Sequence, residues 1–225
     1  MAKNKKFILT AIFSIVFAVG LSAQIITTAS AYFKTISDYY ASFKDYEATI
    51  EITADKKEMA GKVSYKRPNL LRIDFANPEN QVIVFNGDML TIYLPEASAV
   101  LQQNVQADKN GASIATSQGL SLLSRYYSVA YEIGQEPVPL ENGSEDKVIK
   151  LVLYPRNSAE AFRYIKIAIS PETKLIRRIE ASTKKGELFV FNFMDYKINT
   201  DITDQRFIYD APSSANNYNN FLFSE

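Results

Sequence analysis

Residues 61–100, GKVSYKRPNLLRIDFANPENQVIVFNGDMLTIYLPEASAV, predict the fold of the whole chain. Prolines and Asn-Pro or Asn-Gly pairs divide this stretch into four short segments, and Leu71, Ile73 and Phe75 alternate with charged residues as in a half-buried strand. Asn86-Gly87 supplies two residues that tolerate a positive φ, which favours a tight hairpin. We therefore predict an antiparallel meander with strands at residues 61–65, 71–75, 81–85 and 89–94.

The N-terminus has the features of a secretory signal peptide. Three lysines precede the apolar residues 7–21, and Leu21-Ser22-Ala23 ends in a small residue suited to cleavage before Gln24. A membrane-anchor helix is the alternative, but the apolar run is short for a span of about 20 residues. We predict a signal peptide at residues 1–23 and one exported, periplasmic domain at residues 24–225.

The amino-acid composition excludes several kinds of catalytic and metal site. The chain contains no Cys and no His, which removes disulfides, a lipid-modified cysteine, thiol and imidazole catalysis and the usual zinc ligands. Lys+Arg and Asp+Glu balance at 25 each, and loss of the three N-terminal lysines leaves a net charge of about −3, so no basic field of the kind that nucleic acid or an anionic membrane needs is expected. We predict no cofactor and no metal.

Two segments have helical rather than strand periodicity. The first segment begins after Thr28, a candidate N-cap, and has an aromatic-rich face. The second segment covers residues 119–129, and the residues that share one of its faces are Leu120, Leu123, Tyr126 and Tyr127. These faces fit helices packed on a sheet, and they fit equally a cover over an open barrel. The first face comprises Phe33, Ile36, Tyr39, Tyr40 and Phe43.

The rest of the chain predicts further strands. Strand-like segments lie at residues 46–53, 131–133, 147–154, 162–169, 175–182, 187–196 and 207–209, separated by turn residues. Phe189, Phe191 and Phe193 alternate with Val190 and Met194, so both faces of such a strand are apolar. We expect mainly β structure with α: one domain of about ten or eleven antiparallel strands, wrapped around or packed against two or three helices.

A specific group of motifs resembles the LolA family of periplasmic lipoprotein carriers. It consists of Lys66-Arg67-Pro68-Asn69-Leu70, then Asn77-Pro78, then residues 81–87, and Leu90-Thr91-Ile92-Tyr93 before Pro95. The lead-in helix with Ala41-Ser42-Phe43 is similar as well. The likeness continues more weakly through the strands after Lys147.

The resemblance implies a fold and a function. LolA-like proteins are incomplete antiparallel β-barrels, or half-barrels, and they carry outer-membrane lipoproteins across the periplasm. The resemblance therefore implies that the strands of this chain form an incomplete antiparallel barrel covered by a lid of two or three helices. The implied partners are acylated lipoproteins, an inner-membrane lipoprotein-releasing ABC transporter of the LolCDE kind and an outer-membrane receptor, with the carrier itself a monomer. Arg67 would hold the lid closed by binding its carbonyl groups. The implied acyl-chain and lid residues are Phe33, Ile36, Tyr39, Phe43, Ile73, Phe75, Val84, Ile92, Leu120, Leu123 and Tyr126.

Two other functions remain open at this stage. A half-barrel of this kind could instead be a periplasmic module that senses lipids or lipoproteins without transporting them. An enzyme with paired carboxylates is a further alternative, for which Glu47 and Glu51 on one face of the first strand are candidates. No motif supports catalysis, and solvated surface glutamates explain the pair, so we predict that the protein is not an enzyme.

Overall fold

A computed structural model of the protein describes residues 27–104 and 117–221. The predicted signal peptide, residues 1–23, lies outside the described residues, and so do residues 24–26, 105–116 and 222–225. Within the described ranges, one large sheet lies against two α-helices.

The helices are α1 (Ala29–Ser42), α2 (Ser117–Tyr126) and a short 3₁₀ helix (Asp204–Phe207). The strands are β1 (Asp45–Ala54), β2 (Lys57–Lys66), β3 (Leu70–Asn77), β4 (Val82–Phe85), β5 (Met89–Leu94), β6 (Ala99–Asn104), β7 (Tyr127–Tyr131), β8 (Val138–Pro139), β9 (Lys147–Pro155), β10 (Phe162–Ile169), β11 (Ile176–Thr183), β12 (Leu188–Ile198) and β13 (Asn216–Asn219).

The sheet is an open half-barrel. Its strand order is β13-β6-β5-β4-β3-β2-β1-β12-β11-β10-β9-β7, with β8 paired to β9. The central pair, β1 with β12, joins a meander of β1 to β6 to a second meander, and of the described strands only β13 runs parallel to its neighbour. The predicted incomplete barrel with a helical cover is confirmed. The structure adds the short strands β6, β8 and β13 to those predicted, and the strand predicted at residues 131–133 is wrong in its position, because β7 ends at Tyr131.

Helix α1 forms where the sequence predicts it. The Thr28 hydroxyl accepts a hydrogen bond from the Ala31 amide at 3.2 Å, which satisfies one of the free N–H groups of the first turn. The helix buries one stripe, formed by Ala29, Phe33, Ile36 and Tyr40, against the sheet. No helix in the described ranges is long and apolar enough to cross a membrane.

Helix α2 is shorter than predicted. It ends at Tyr126, and β7 begins at the next residue, so the predicted helix over residues 119–129 is wrong in its last turn. Leu120 and Leu123 are buried as expected, and the third buried position on that face is Tyr127, already in the strand. The residues after Tyr126 fit both the helical and the strand periodicity, and they form a strand because they pair with β9.

The Asn86-Gly87 turn joins β4 to β5, as predicted. Gly87 has φ +106°, and the Asn86 side chain accepts hydrogen bonds from the amides of Asp88 (3.2 Å) and Met89 (2.9 Å). The loop therefore has three residues rather than two, and Asn86 acts through its side-chain oxygen rather than through a positive φ.

Both faces of the sheet are apolar, and different segments cover them. We call the face packed against α1 and α2 the inner face; its buried residues include Tyr46, Tyr65, Leu153, Ile165 and Phe193. On the outer face, residues 199–215, which we call the C-terminal strap, lie across the first meander. Only the strand residues that point to the inner face can therefore line an interior.

Buried and charged groups hold the strap in place. Asp45, 1% exposed, accepts hydrogen bonds from the Thr200 amide (2.8 Å), the Thr200 hydroxyl (3.3 Å) and the Ile202 amide (3.3 Å). Arg72 donates to the carbonyls of Arg206 (3.1 Å) and Ile208 (3.2 Å). The predicted strand at residues 207–209 is therefore wrong, because the carbonyls there bind an arginine side chain instead of a neighbouring strand.

Asp45→Ala should lower the free energy of unfolding by about 3 kcal/mol, measured by urea denaturation. The substitution leaves two amides and one hydroxyl without their charged acceptor, and hydrogen bonds to charged groups contribute about 1.5–3 kcal/mol each without adding fully. Asp38→Ala is the control, since Asp38 forms an exposed pair with Lys34 and should change stability by less than about 1 kcal/mol. Equal losses in both variants would contradict the anchoring role of Asp45.

Candidate functional site

Most of the predicted interior residues meet in one buried cluster between the helices and the sheet. Tyr39 packs at the edge of this cluster and is half-buried. The helices therefore fill the interior above β1, β2 and the second meander with the protein's own side chains. The fully buried members are Phe33, Ile36, Phe43, Ile73, Phe75, Leu120 and Leu123.

The inner face of β4 to β6 differs because most of its aliphatic residues are only partly covered, although Phe85 and Ala99 on the same face are buried. We call Ile83, Leu90, Ile92, Leu94 and Leu101 the half-exposed row. Cross-strand register places them together: Ile83 pairs with Ile92, which pairs with Leu101, and Ile83 also pairs with Ile73 of the core. Five partly exposed aliphatic side chains on the inner face form a continuous apolar surface beside the helical cover.

Sequence reasoning found only Ile92 of this row. The signal for the others was available in the Asn86-Gly87 hairpin, since its register determines which residues of β4 and β5 share a face. Leu101 could not be found in this way because the sequence predicted no strand at β6.

Val84 lies on the wrong side of the sheet for an interior residue. It pairs with Arg72 and Thr91, so it faces away from Ile83 and towards the strap. The prediction that Val84 lines the interior is therefore wrong, although the residue is buried. Val-Ile-Val-Phe is apolar at every position, so alternation could not assign its faces, and a shift of one residue exchanges them.

Tyr126 is also misplaced in the prediction. Its side chain is 39% exposed at the C-terminal end of α2, whereas Tyr127 is 4% exposed and packs in the core. The buried stripe of α2 therefore continues through Tyr127, and Tyr126 lies outside the interior.

Arg67 connects the end of β2 to the end of α1. Its Nη1 donates to the carbonyl oxygen of Ala41 at 3.0 Å, and its amide donates to the carbonyl oxygen of Lys44 at 2.9 Å. The last carbonyls of a helix lack partners within the helix and carry its partial negative charge, which suits a guanidinium group. The contact is exposed to solvent, so it can open without burying a charge.

A closed ring of hydrogen bonds fixes the last turn of α1 to the sheet. The Ile176 amide donates to the Tyr40 hydroxyl (2.9 Å), which donates to the Tyr196 hydroxyl (3.2 Å), which donates to the Ile176 carbonyl (3.0 Å). A bulge at Asp195, with φ +52°, turns Tyr196 inward. Burial raises the pKa of Tyr40 to about 12 and that of Tyr196 well above its usual value.

Another phenol on α1 is left without a partner. The Tyr32 hydroxyl is buried and has no hydrogen-bond partner among the residues that the structure describes, and burial raises the pKa of Tyr32 to about 12. Its ring lies 6.3 Å from that of Tyr131, whose own hydroxyl donates to the Thr27 carbonyl at 2.9 Å. The polar groups of the first turn of α1 are thus less well satisfied than those of its last turn.

An open half-barrel with an apolar interior and a helical cover defines a class of proteins suited to holding hydrophobic groups. The sequence model described as "Outer membrane lipoprotein carrier protein LolA" matches residues 39–210. The chain belongs to the LolA family.

One relative in sequence and two solved structures are similar to this chain. An outer-membrane lipoprotein carrier protein from Pseudomonas paraeruginosa is 23% identical over 158 residues, covering 69% of this chain and 69% of that protein. A conserved protein from Thermus thermophilus has a similar fold, with a TM-score of 0.54 at 16% identity over 83% of this chain and 96% of that chain. The MucA/MucB complex of Pseudomonas aeruginosa matches with a TM-score of 0.50 at 12% identity, covering 84% of this chain and 62% of that chain.

Tyr40→Phe should lower the free energy of unfolding by about 1–3 kcal/mol at neutral pH, because it removes two bonds of the buried ring. The folded pKa of Tyr40, about 12, exceeds its usual 10.0, so its contribution to stability is complete below pH 10 and is lost as the pH rises through 12. Wild-type stability should therefore fall above pH 10 more steeply than that of Tyr40→Phe, as measured by chemical denaturation across this range.

The control is Tyr154→Phe, which removes a hydroxyl from a side chain that is 52% exposed. Its stability should stay within about 0.5 kcal/mol of wild type. A Tyr40→Phe protein with wild-type stability and an unchanged alkaline slope would show that the ring does not hold α1.

Proposed function

We propose that this protein is a periplasmic carrier that binds the acyl chains of lipoproteins between the sheet and its helical cover. The half-exposed row is the observation that carries the proposal, because a soluble protein rarely leaves a row of aliphatic residues partly open inside its fold without a ligand. Membership of the LolA family and the names of the relatives support the same role.

Acyl chains would bind by burial against the half-exposed row. Each CH₂ group removed from water contributes about 0.8 kcal/mol, so one long chain offers a large binding free energy without any polar contact. Displacement of α1 would extend this surface to the buried cluster of Phe33, Ile36 and Phe43, whose side chains already pack in an apolar environment. No catalytic group is needed for such a function.

Arg67 would act as the latch of the cover. Its bond to the Ala41 carbonyl joins the C-terminal end of α1 to β2, and one hydrogen bond with a charged donor contributes about 1.5–3 kcal/mol. That free energy is large enough to favour the closed state and small enough for an acyl chain to overcome. The proposed latch role of Arg67 thus rests on its bond to the Ala41 carbonyl and not on its positive charge alone.

The proposed route begins and ends at membranes. An inner-membrane lipoprotein-releasing ABC transporter would supply the acylated lipoproteins, and an outer-membrane receptor would accept them. The predicted signal peptide at residues 1–23 would place the carrier in the periplasm between the two.

Ile92→Gln/Leu101→Gln should abolish or reduce at least tenfold the co-purification of a co-expressed triacylated lipoprotein. The two amides place polar groups in the half-exposed row, where they would have no partners against an acyl chain; each unpaired buried group weakens binding by about 1–3 kcal/mol, a combined loss of more than about tenfold. The bound lipoprotein is measured by mass spectrometry of the purified soluble complex.

Val190→Gln/Met194→Gln is the matched control. These residues are also partly exposed and apolar on the sheet, but they point to the outer face, opposite Phe191 and Phe193. This variant should keep its lipoprotein. If the inner and outer pairs lose cargo alike, the site is not where we place it; if wild type holds no lipoprotein, transport fails and a sensing module with the same fold becomes the better explanation.

Arg67→Leu should increase hydrogen exchange in the last turn of α1 by about tenfold or more, because the latch bond contributes about 1.5–3 kcal/mol to the closed state. Exchange is measured by mass spectrometry on peptides that cover residues 36–43. Loading of lipoprotein in the co-expression assay should change in the same variant.

Arg163→Leu removes another exposed arginine, far from Ala41, and provides the control for lost charge and altered surface. It should leave exchange in α1 unchanged. Wild-type exchange and wild-type loading in Arg67→Leu would together rule out the latch.

A further inference from the structure

One end of the sheet collects cations that have no carboxylate partner. The eight ion pairs of the described residues involve none of the seven cations that lie there. All seven are exposed. We call this set the basic rim: Lys56, Lys57, Arg125, Arg156, Arg163, Lys184 and Lys185.

Backbone and side-chain contacts show that the segments bearing the rim are neighbours. The Asp55 amide in the β1–β2 turn donates to the Leu188 carbonyl beside the β11–β12 turn at 3.2 Å. Lys184, in that second turn, donates through Nζ to the Ser158 carbonyl of the β9–β10 loop. The Arg156 amide of the same loop donates to the Tyr126 carbonyl at the end of α2 at 2.9 Å. Three hairpin tips and one helix end therefore form a continuous edge.

Exposed apolar side chains share this edge. The described chain has seven exposed large hydrophobic residues, and four of them lie beside the rim: Leu122 (37%), Tyr126 (39%), Tyr154 (52%) and Leu188 (40%). Tyr154 is the penultimate residue of β9 and Leu188 the first of β12, so both lie next to a basic turn. Cations and apolar groups are thus interleaved on one surface.

The charge of this edge differs from that of the whole chain. Its segments carry four carboxylates, Asp55, Glu58, Glu160 and Glu187, against the seven rim cations, an excess of three positive charges. The full sequence is balanced at 25 basic and 25 acidic residues. Two of the four carboxylates are already engaged, since Glu160 accepts from Asn157 and Glu187 accepts from Thr183.

We infer that the basic rim docks on an anionic lipid surface. Lysines and arginines near such a surface are attracted to acidic headgroups, while tyrosine and leucine beside them insert at the boundary between headgroups and acyl chains. Reversible docking of this kind needs a few charges and a few apolar groups, which matches the composition of the rim.

The shape of the rim favours a membrane over an acidic peptide. A bound peptide needs a groove or an open strand edge, with charges around it. The rim cations instead project from successive hairpin tips and from the last turn of a helix, all at one end of the molecule. Such a projecting edge can meet a flat surface at several points at once.

Co-sedimentation of the mature protein with lipid vesicles tests the inference. Vesicles of phosphatidylcholine mixed with phosphatidylglycerol should retain the wild-type protein at low salt, and pure phosphatidylcholine vesicles should not. Binding should disappear at about 1 M salt, where the screening length falls to about 3 Å. Lys56→Gln/Lys57→Gln/Lys184→Gln/Lys185→Gln should bind at least about tenfold more weakly, because each removed cation near the surface contributes to binding.

Lys62→Gln/Lys147→Gln/Lys174→Gln/Lys197→Gln is the matched control. It removes four other exposed lysines that are absent from the ion pairs of the described residues, and so changes the net charge equally. Its binding should stay within about twofold of wild type. Tyr154→Ser/Leu188→Ser should weaken binding while keeping its salt dependence, because it removes apolar groups and no charge.

Two results would overturn the inference. Equal losses in the rim and control variants would reduce it to a general effect of net charge, and no vesicle binding by wild type would leave an acidic protein as the partner to seek. The vesicles contain no lipoprotein, so the outcome is independent of the proposed carrier function. A rim variant that still loads lipoprotein but no longer binds vesicles would separate the two properties.

Discussion

A sheet with two apolar faces must be covered twice, and the structure depends on how this chain does so. Helices α1 and α2 cover the inner face, while the C-terminal strap covers the outer face of the first meander. On the inner side, α1 and α2 leave the aliphatic side chains of the half-exposed row, on β4 to β6, partly open. The candidate site is therefore a region of incomplete burial in an otherwise well-packed core.

The two covers are held by different kinds of contact. The strap is anchored by a buried carboxylate and by an arginine bound to its carbonyls, contacts that are expensive to leave unpaired. α1 relies on apolar packing, the Tyr40–Tyr196 ring and the solvent-exposed bond of Arg67. Lifting α1 breaks apolar packing and the bonds that Tyr40 makes in the ring, whose polar groups water can then reach, and the Arg67 bond can exchange with water. Of the two, α1 is therefore the cover that can move while the strap keeps the sheet in shape.

The sequence predicted features that depend on local chemistry. The Thr28 cap, the aromatic stripe of α1 and the Asn86-Gly87 turn could be predicted because a few neighbouring residues determine each of them. Predictions failed where contacts between distant parts of the chain determine the local structure. Val84 lies in a strand that is apolar throughout, so only the register assigns its face, and residues 207–209 are strand-like but bind Arg72. The half-exposed row was missed because, as for Val84, only the strand register assigns its residues to a face of the sheet.

The free energy of closing α1 sets how tightly the interior can hold an acyl chain. Lifting α1 would expose Phe33, Ile36, Tyr40 and Phe43, each at most 2% exposed in the closed state. At about 1.5–3 kcal/mol for each such side chain, opening costs about 6–12 kcal/mol before the polar contacts are counted. Burial of about 8–15 CH₂ groups, at about 0.8 kcal/mol each, would offset that cost. This is close to the length of one fatty acyl chain, so loading would exchange one apolar partner of the sheet for another. Such an exchange has a small net free energy, which is what allows a carrier both to take up its cargo and to release it.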